Sequence, residues 1–273
     1  MSGAHKWKSP VTGEEYEPHL ALRHTEIPTF LRAPLARSLE DVDIALVGIP
    51  FDGGTTHRAG ARHGPREIRN MSSLMRGYHH ISRFNPFEAC RISDVGDVRF
   101  QNIYNLDEAI KDIEYFYCRL REAGVTPLAA GGDHSITYPI LKALGEKESL
   151  GLVHIDAHTD TWGSFMGSKF HHGAPFRMAV DGGYVDPKRT IQIGIRGAQN
   201  TLEGWDYSLE SGMRVVFIEE LMEKGVDAIA EEARRVVGNG PTYISFDVDA
   251  LDPAFASGTG TPEVGGMTTR EAL

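Results

Sequence analysis

Residues 151–160 read GLVHIDAHTD, an apolar stretch, Gly151 to Ile155, that runs directly into Asp156, His158 and Asp160. A short apolar run ended by polar residues reads as a strand buried on both faces, the kind found in parallel sheets. Working outward, similar runs recur near 42–49, 91–94, 126–130, 190–195, 213–217 and 242–247, separated by stretches that read as helices near 65–78, 106–123, 136–146, 201–211 and 225–238. This alternation predicts an α/β fold of three layers, α/β/α, with an open, mainly parallel central sheet. In the 106–123 helix, Leu106, Ile110, Ile113, Phe116, Tyr117 and Leu120 fall on one side at helical spacing, a core-facing stripe. Residues 1–40 carry several prolines and no sustained periodicity, and read as an N-terminal arm before a single domain over 41–273.

In sheets of this kind ligands gather outside the carboxyl ends of the strands. Three strand ends carry metal-type side chains: Gly131-Gly132-Asp133-His134-Ser135, the Asp156-Ala157-His158-Thr159-Asp160 segment, and Asp247-Val248-Asp249. Taken singly each has an ordinary reading: a strand-end Asp as a helix cap, or His134 as a core histidine with Ser135 as N-cap. The DxHxD spacing argues otherwise. Side chains alternate along extended backbone, so Asp156, His158 and Asp160 are expected on one side, as are Asp247 and Asp249. Burying carboxylates and an imidazole together without a cation is expensive.

His134, Asp156, His158, Asp160, Asp247 and Asp249 are therefore the expected metal ligands. Oxygen and nitrogen donors without thiolate suit Mn(II), Fe(II), Ni(II), Co(II) or Zn(II), and six of them with shared carboxylates exceed the needs of one ion. Two ions roughly 3.5–4 Å apart lower the pKa of a bridging water and create a nucleophile near neutral pH. Four aspartates against two divalent ions and a hydroxide leave a cluster near minus one, which favours a cationic substrate. A guanidinium, planar and rich in N–H donors, fits a carboxylate not fully used by metal, and Asp160 is expected to take that second role.

The bulk composition agrees. The 273 residues carry 38 acidic and 28 basic side chains, a formal charge of -10, which argues against a nucleic-acid partner. The apolar runs are far shorter than the roughly 18 residues of a membrane span. No signal peptide is legible at the amino terminus, so a cytoplasmic protein is expected. Cys90 and Cys118 have no metal-ligand spacing and read as structural thiols.

The segments GGDHS (131–135), DAHTD (156–160), HHG (171–173) and SFDVDALDPAFASGTGTPEVGG (245–266), in that order, resemble the signatures of the ureohydrolase (arginase/agmatinase) family. Asp52-Gly53-Gly54-Thr55 and the 58–66 segment RAGARHGPR resemble the early loop of its agmatinase-like members. The resemblance implies the arginase-like fold and hydrolysis of a guanidino group to urea and an amine. It implies a dimanganese cluster on the six residues above, Ni(II) being an alternative, and trimeric or hexameric assembly. It also implies a proton-shuttling histidine before a glycine, at His172, with His171 as the neighbour to be weighed against it.

The nearest look is to guanidinopropionase and guanidinobutyrase, so 3-guanidinopropionate and 4-guanidinobutyrate are the expected substrates, with agmatine or free guanidine as alternatives and arginine behind them. Lys169, in the loop 161–171, is the cation expected to meet a carboxylate tail. The family pattern continues past Leu273 into a strand and helix that include a guanidinium-binding glutamate. No residue here replaces it, and a truncated chain is expected, because residues 268–273 read as a helix start without a C-cap. A metal-holding scaffold without turnover is the contrasting possibility from another functional class.

Overall fold

The computed structural model describes residues 7–16 and 21–273. Residues 1–6 and 17–20 of the expected arm lie outside the described residues. The remainder carries a short antiparallel pair, β1 (Trp7–Lys8) with β2 (Glu15–Tyr16), and then buries Phe30 and Ala33 against Leu46 and Ile92.

The remaining strands all pair in parallel: β3 (Ile44–Ile49), β4 (Ile92–Asp97), β5 (Thr126–Gly131), β6 (Leu150–Ile155), β7 (Val185–Ile195), β8 (Arg214–Phe217) and β9 (Thr242–Phe246). Parallel pairing follows from the helical crossover between each consecutive pair. These crossovers contain α1 (Gly64–Met71), α2 (Pro86–Ala89), α3 (Leu106–Glu122), α4 (Thr137–Gly145), α5 (Pro175–Asp181), α6 (Glu203–Ser211), α7 (Ile218–Lys224) and α8 (Val226–Val237). Asn105 caps α3 by accepting from Glu108 N at 3.2 Å, and Ile110, Ile113, Tyr117 and Leu120 of its stripe are buried. Ile113, Tyr117 and Leu120 pack with Val47 and Ile49 of β3, while Leu46 meets the arm on the opposite face. Leu152 and Val185 pack with Leu141 and Phe176, whereas Ile191 and Ile193 pack with Leu221 and Ile229. Helices thus cover both faces, giving the expected three layers.

Three readings change. The single sheet is two: β4-β3-β5 and β8-β7-β6-β9. The free edges of β5 and β9 line a cavity of about 1050 Å³, and among the described residues no strand pairs with either edge. Second, the 65–78 helix ends at Met71 and tightens into a 3₁₀ turn at Ser72–Leu74. Third, α2, α5 and α7 went unread because four to seven residues are too few to display a helical period. The helix start expected at 268–273 is present as α9 (Thr269–Ala272), with a capping box between Thr268 and Glu271.

Candidate metal centre

The centre lies where β5, β6 and β9 end. After β5 the chain turns through Gly132 at φ +28°, where a Cβ would sit 2.3 Å from the Phe51 carbonyl oxygen, so no larger residue fits. Asp133, not Ser135, caps the following 3₁₀ turn: its Oδ1 accepts from Ser135 N at 2.8 Å and its Oδ2 from Gly54 N at 2.7 Å. This capping puts the buried His134 ring over the ends of β6 and β9. Its Nδ1 lies 2.9 Å from Asp160 Oδ2, 3.2 Å from Asp156 Oδ2 and 3.4 Å from Asp247 Oδ2.

The other expected donors converge on the same place, but not by strand alternation. Beyond Ile155 the backbone leaves the strand, and Asp156 Oδ1 accepts from His158 N at 2.7 Å, folding the segment into a tight turn. Asp160 adopts φ +49°, a left-handed conformation uncommon outside glycine, and this aims its carboxylate back at His134. Asp247 caps a second 3₁₀ turn by accepting from Asp249 N at 2.9 Å. His158 Nδ1 stands 3.2 Å from Asp249 Oδ2 and 3.5 Å from Asp156 Oδ1. Asp156 is thus shared between two groups, His134 with Asp160 and Asp247, and His158 with Asp249.

So many buried carboxylates perturb one another. Burial and the neighbouring Asp156 and Asp249 push Asp247 up to about 8, and burial with Asp156 pushes Asp249 up to about 6. Burial opposes a charged His158, but Asp156 and Asp249 outweigh it and raise the imidazole to about 11. His134 is likewise held well above the usual imidazole value, against its burial, by Asp156 and Asp160. Without a cation, His134, His158 and Asp247 thus favour their protonated forms.

Divalent ions fit this arrangement. The buried Nδ1 of His134 makes no hydrogen bond although three carboxylate oxygens lie within 3.4 Å of it. Donors that surround a common space instead of pairing along N–H lines are what a cation requires. The second group, Asp156, His158 and Asp249, also brings its donor atoms within 4.8 Å of one another.

The two loop histidines separate cleanly. His171 is buried and satisfied, with Nε2 2.8 Å from the Gly163 carbonyl oxygen and Nδ1 accepting from Gly173 N at 3.2 Å. His172 instead lines the cavity together with His134, Asp247 and Asp249. Its backbone N–H donates to Gly54 O at 3.0 Å, and its Nε2 lies 2.6 Å from Thr56 Oγ1. Burial lowers its pKa although Asp160 and Asp133 pull the other way, so the ring favours the neutral form. Lys169 is exposed, its ammonium 4.9 Å from the Phe170 ring centroid, and is not among the residues lining the cavity.

Several contributors went unread in the sequence. Ser245 Oγ lies 2.8 Å from His134 Nε2, and its place two residues before Asp247 on a strand was the available signal. Glu263 Oε1 lies 3.9 Å from His158 Nε2. The buried Arg196 guanidinium donates to Asp249 O and Glu263 O, both at 2.7 Å, fastening the glycine-rich 258–266 loop to the turn that carries Asp247 and Asp249. Backbone carbonyls as partners leave no mark in sequence.

Residues 42–273 match the model of the arginase family. A guanidinopropionase of Pseudomonas aeruginosa is 53% identical over 251 residues, 92% of this chain and 79% of that protein. A mitochondrial agmatinase of Gallus gallus is 46% identical, covering 92% of this chain and 74% of the relative. The proclavaminate amidino hydrolase of Streptomyces clavuligerus superposes with a TM-score of 0.88 at 40% identity, covering 92% of this chain and 84% of the other. With the match spanning residues 42–273, the strand ends that carry the cluster included, the chain belongs to the arginase family.

Proposed function

We propose that this chain is a two-metal amidinohydrolase that hydrolyses a guanidino acid, such as 3-guanidinopropionate or 4-guanidinobutyrate, to urea and an amine. The observation that carries the hydrolytic reading is the convergence of His134 Nδ1 with three carboxylates beside the cavity that His134 and Asp247 line. The guanidino-acid reading draws support from the 53% identity to guanidinopropionase. His134, Asp156, Asp160 and Asp247 would hold one ion, with Asp156, His158, Asp247 and Asp249 holding the other; Mn(II) is the family default and Ni(II) is compatible with the same donors. When bound, the ions supply Lewis-acid activation of water near neutral pH.

The remaining work falls to side chains. Asp160, already turned inward by its left-handed backbone, orients the guanidinium by charge-assisted hydrogen bonds. His172, neutral because of its burial, takes up a proton at its ring nitrogen and returns it to the departing amine, with Thr56 linking Nε2 to the surface. Water adds to the guanidino carbon, the C–N bond to the amine breaks, and the amine leaves protonated alongside neutral urea. Lys169 meets the carboxylate tail at the mouth, outside the cavity. We place the protein in the cytoplasm as a homo-oligomer, trimeric or hexameric; among the described residues no helix is long and apolar enough to cross a membrane.

The test is urea release from 3-guanidinopropionate, 4-guanidinobutyrate, agmatine, arginine and guanidine, after reconstitution with Mn(II) or Ni(II), beside an Asp247→Ala control. Preference for agmatine would replace the guanidino-acid reading with the agmatinase reading, which the Gallus gallus relative supports. Two bound ions with no urea from any pairing would leave the scaffold.

A further inference from the structure

Beneath the cluster, three strands place a polar row on one buried face. In the register of the sheet His154 of β6 stands opposite Gln192 of β7 on one side and Ser245 of β9 on the other. His154 and Gln192 are fully buried. His154 Nε2 lies 2.7 Å from Asp156 Oδ2, and its Nδ1 lies 3.0 Å from Gln192 Nε2.

The direction of these bonds is decided at the far end of the row. Gln192 Nε2 lies 2.7 Å from the Thr159 carbonyl oxygen, which can only accept. The amide therefore presents its NH₂ to both Thr159 O and His154 Nδ1, leaving Gln192 Oε1 without a partner. Turning the amide over would set oxygen against oxygen at Thr159. An NH₂ group donates, so His154 Nδ1 accepts, and the ring proton must sit on Nε2 and point at Asp156 Oδ2. Although His154 is close enough to His134 and Asp156 to be counted with them as a metal donor, its two nitrogens are already committed.

We propose that His154 is a positioning residue and not a ligand: Gln192 locks its tautomer so that Nε2–H holds Asp156, a carboxylate shared by both ion sites, in its coordinating orientation. Groups that orient metal-binding side chains typically govern metal affinity by 10–100-fold. The assignment rests on the reading of the cluster as a two-ion centre, and the roles are separable by experiment.

The test uses Gln192→Glu, which keeps the shape but replaces the NH₂ donor, together with Gln192→Met, His154→Leu and His154→Gln, the last retaining a donor toward Asp156. Mn(II) binding isotherms give stoichiometry and affinity, and ¹⁵N-histidine spectra of the apo and Zn(II)-loaded protein report tautomer and coordination. The expected result is two ions on the wild type and an Nε2–H, uncoordinated His154. Both Gln192 variants and His154→Leu should lose about 10–100-fold in affinity for at least one ion, with partial recovery in His154→Gln. At saturating Mn(II), kcat should fall more than KM changes. Unaltered isotherms in both Gln192 variants, or a Zn(II)-coordinated His154 nitrogen, would overturn the proposal. Failure of the wild type to take up two ions would instead defeat the two-ion reading on which it rests.

Discussion

Thr56 Oγ1 lies 2.6 Å from Nε2 of His172, tying the loop after β3 to the histidine that faces the metal centre. Because burial keeps the His172 pKa below the usual 6.5, the ring is neutral at pH 7 and free to accept a proton. His172→Asn should lower kcat by about 100-fold or more, the ordinary worth of a general acid or base, while two ions remain bound. The acid limb of wild-type kcat should lie below pH 6.5. Steady-state kinetics with metal analysis checks both, and loss of metal in the variant would reassign His172 to the cluster's framework.

Metal uptake should release protons. At pH 7, without metal, protons sit on His158, raised to about 11, on His134, held well above the usual imidazole value, and on Asp247, raised to about 8, and ligation requires all three to leave. Apparent Mn(II) affinity should therefore rise with pH between 6 and 8. Calorimetric titration in two buffers of different ionisation enthalpy reads the released protons directly, and identical heats in the two buffers would contradict it.

Arg196→Lys should cost about 3 kcal/mol of stability, since a buried planar fork satisfies several carbonyls that a single ammonium cannot. Besides Asp249 O and Glu263 O, the guanidinium reaches Val264 O at 3.2 Å and Ala250 O at 3.3 Å. Denaturant unfolding measures the loss, and weaker metal binding at the Asp249 side should accompany it.

Glu220 predicts an acid-sensitive contribution remote from the site. Contacts with Arg214 and with Lys224, whose Nζ lies 2.7 Å away, hold its carboxyl down at about 2 against the ordinary 4.5. A depressed folded pKa stabilises fully above the unfolded value, and that stability is lost as pH falls through the folded one. Glu220→Gln should thus lower stability by about 1 kcal/mol or less at pH 7, with the difference from wild type vanishing near pH 2. Paired melts across that range test the sign.

Lys169→Ala should raise KM for guanidino acids by a few-fold and leave KM for a neutral alkylguanidine unchanged. The solvated ammonium over Phe170 limits the effect. Equal shifts for both substrates would remove Lys169 from tail recognition.

Fold class and the donor types of the cluster were legible along the chain. Strands such as Leu150–Ile155 bury both faces, so their apolar runs stand out locally, and the carboxylates that end them are conspicuous because charge rarely follows such a run. The sequence also pointed to the six candidate ligands that the fold brings together, but for the wrong geometric reason at Asp160, where a left-handed backbone does what alternation was expected to do. Tertiary structure alone decided the rest. The difference between His171 and His172 lies in which ring finds its partners in its own loop, through Gly163 and Gly173, and which reaches across to Thr56. The division of the sheet between β5 and β9, the capping by Asp133, the Arg196 clamp and the Gln192–His154–Asp156 row all depend on contacts between distant segments. Such contacts are set by strand register and by directional bonds to backbone atoms, which every residue type carries alike, so no pattern of side chains along the chain can announce them.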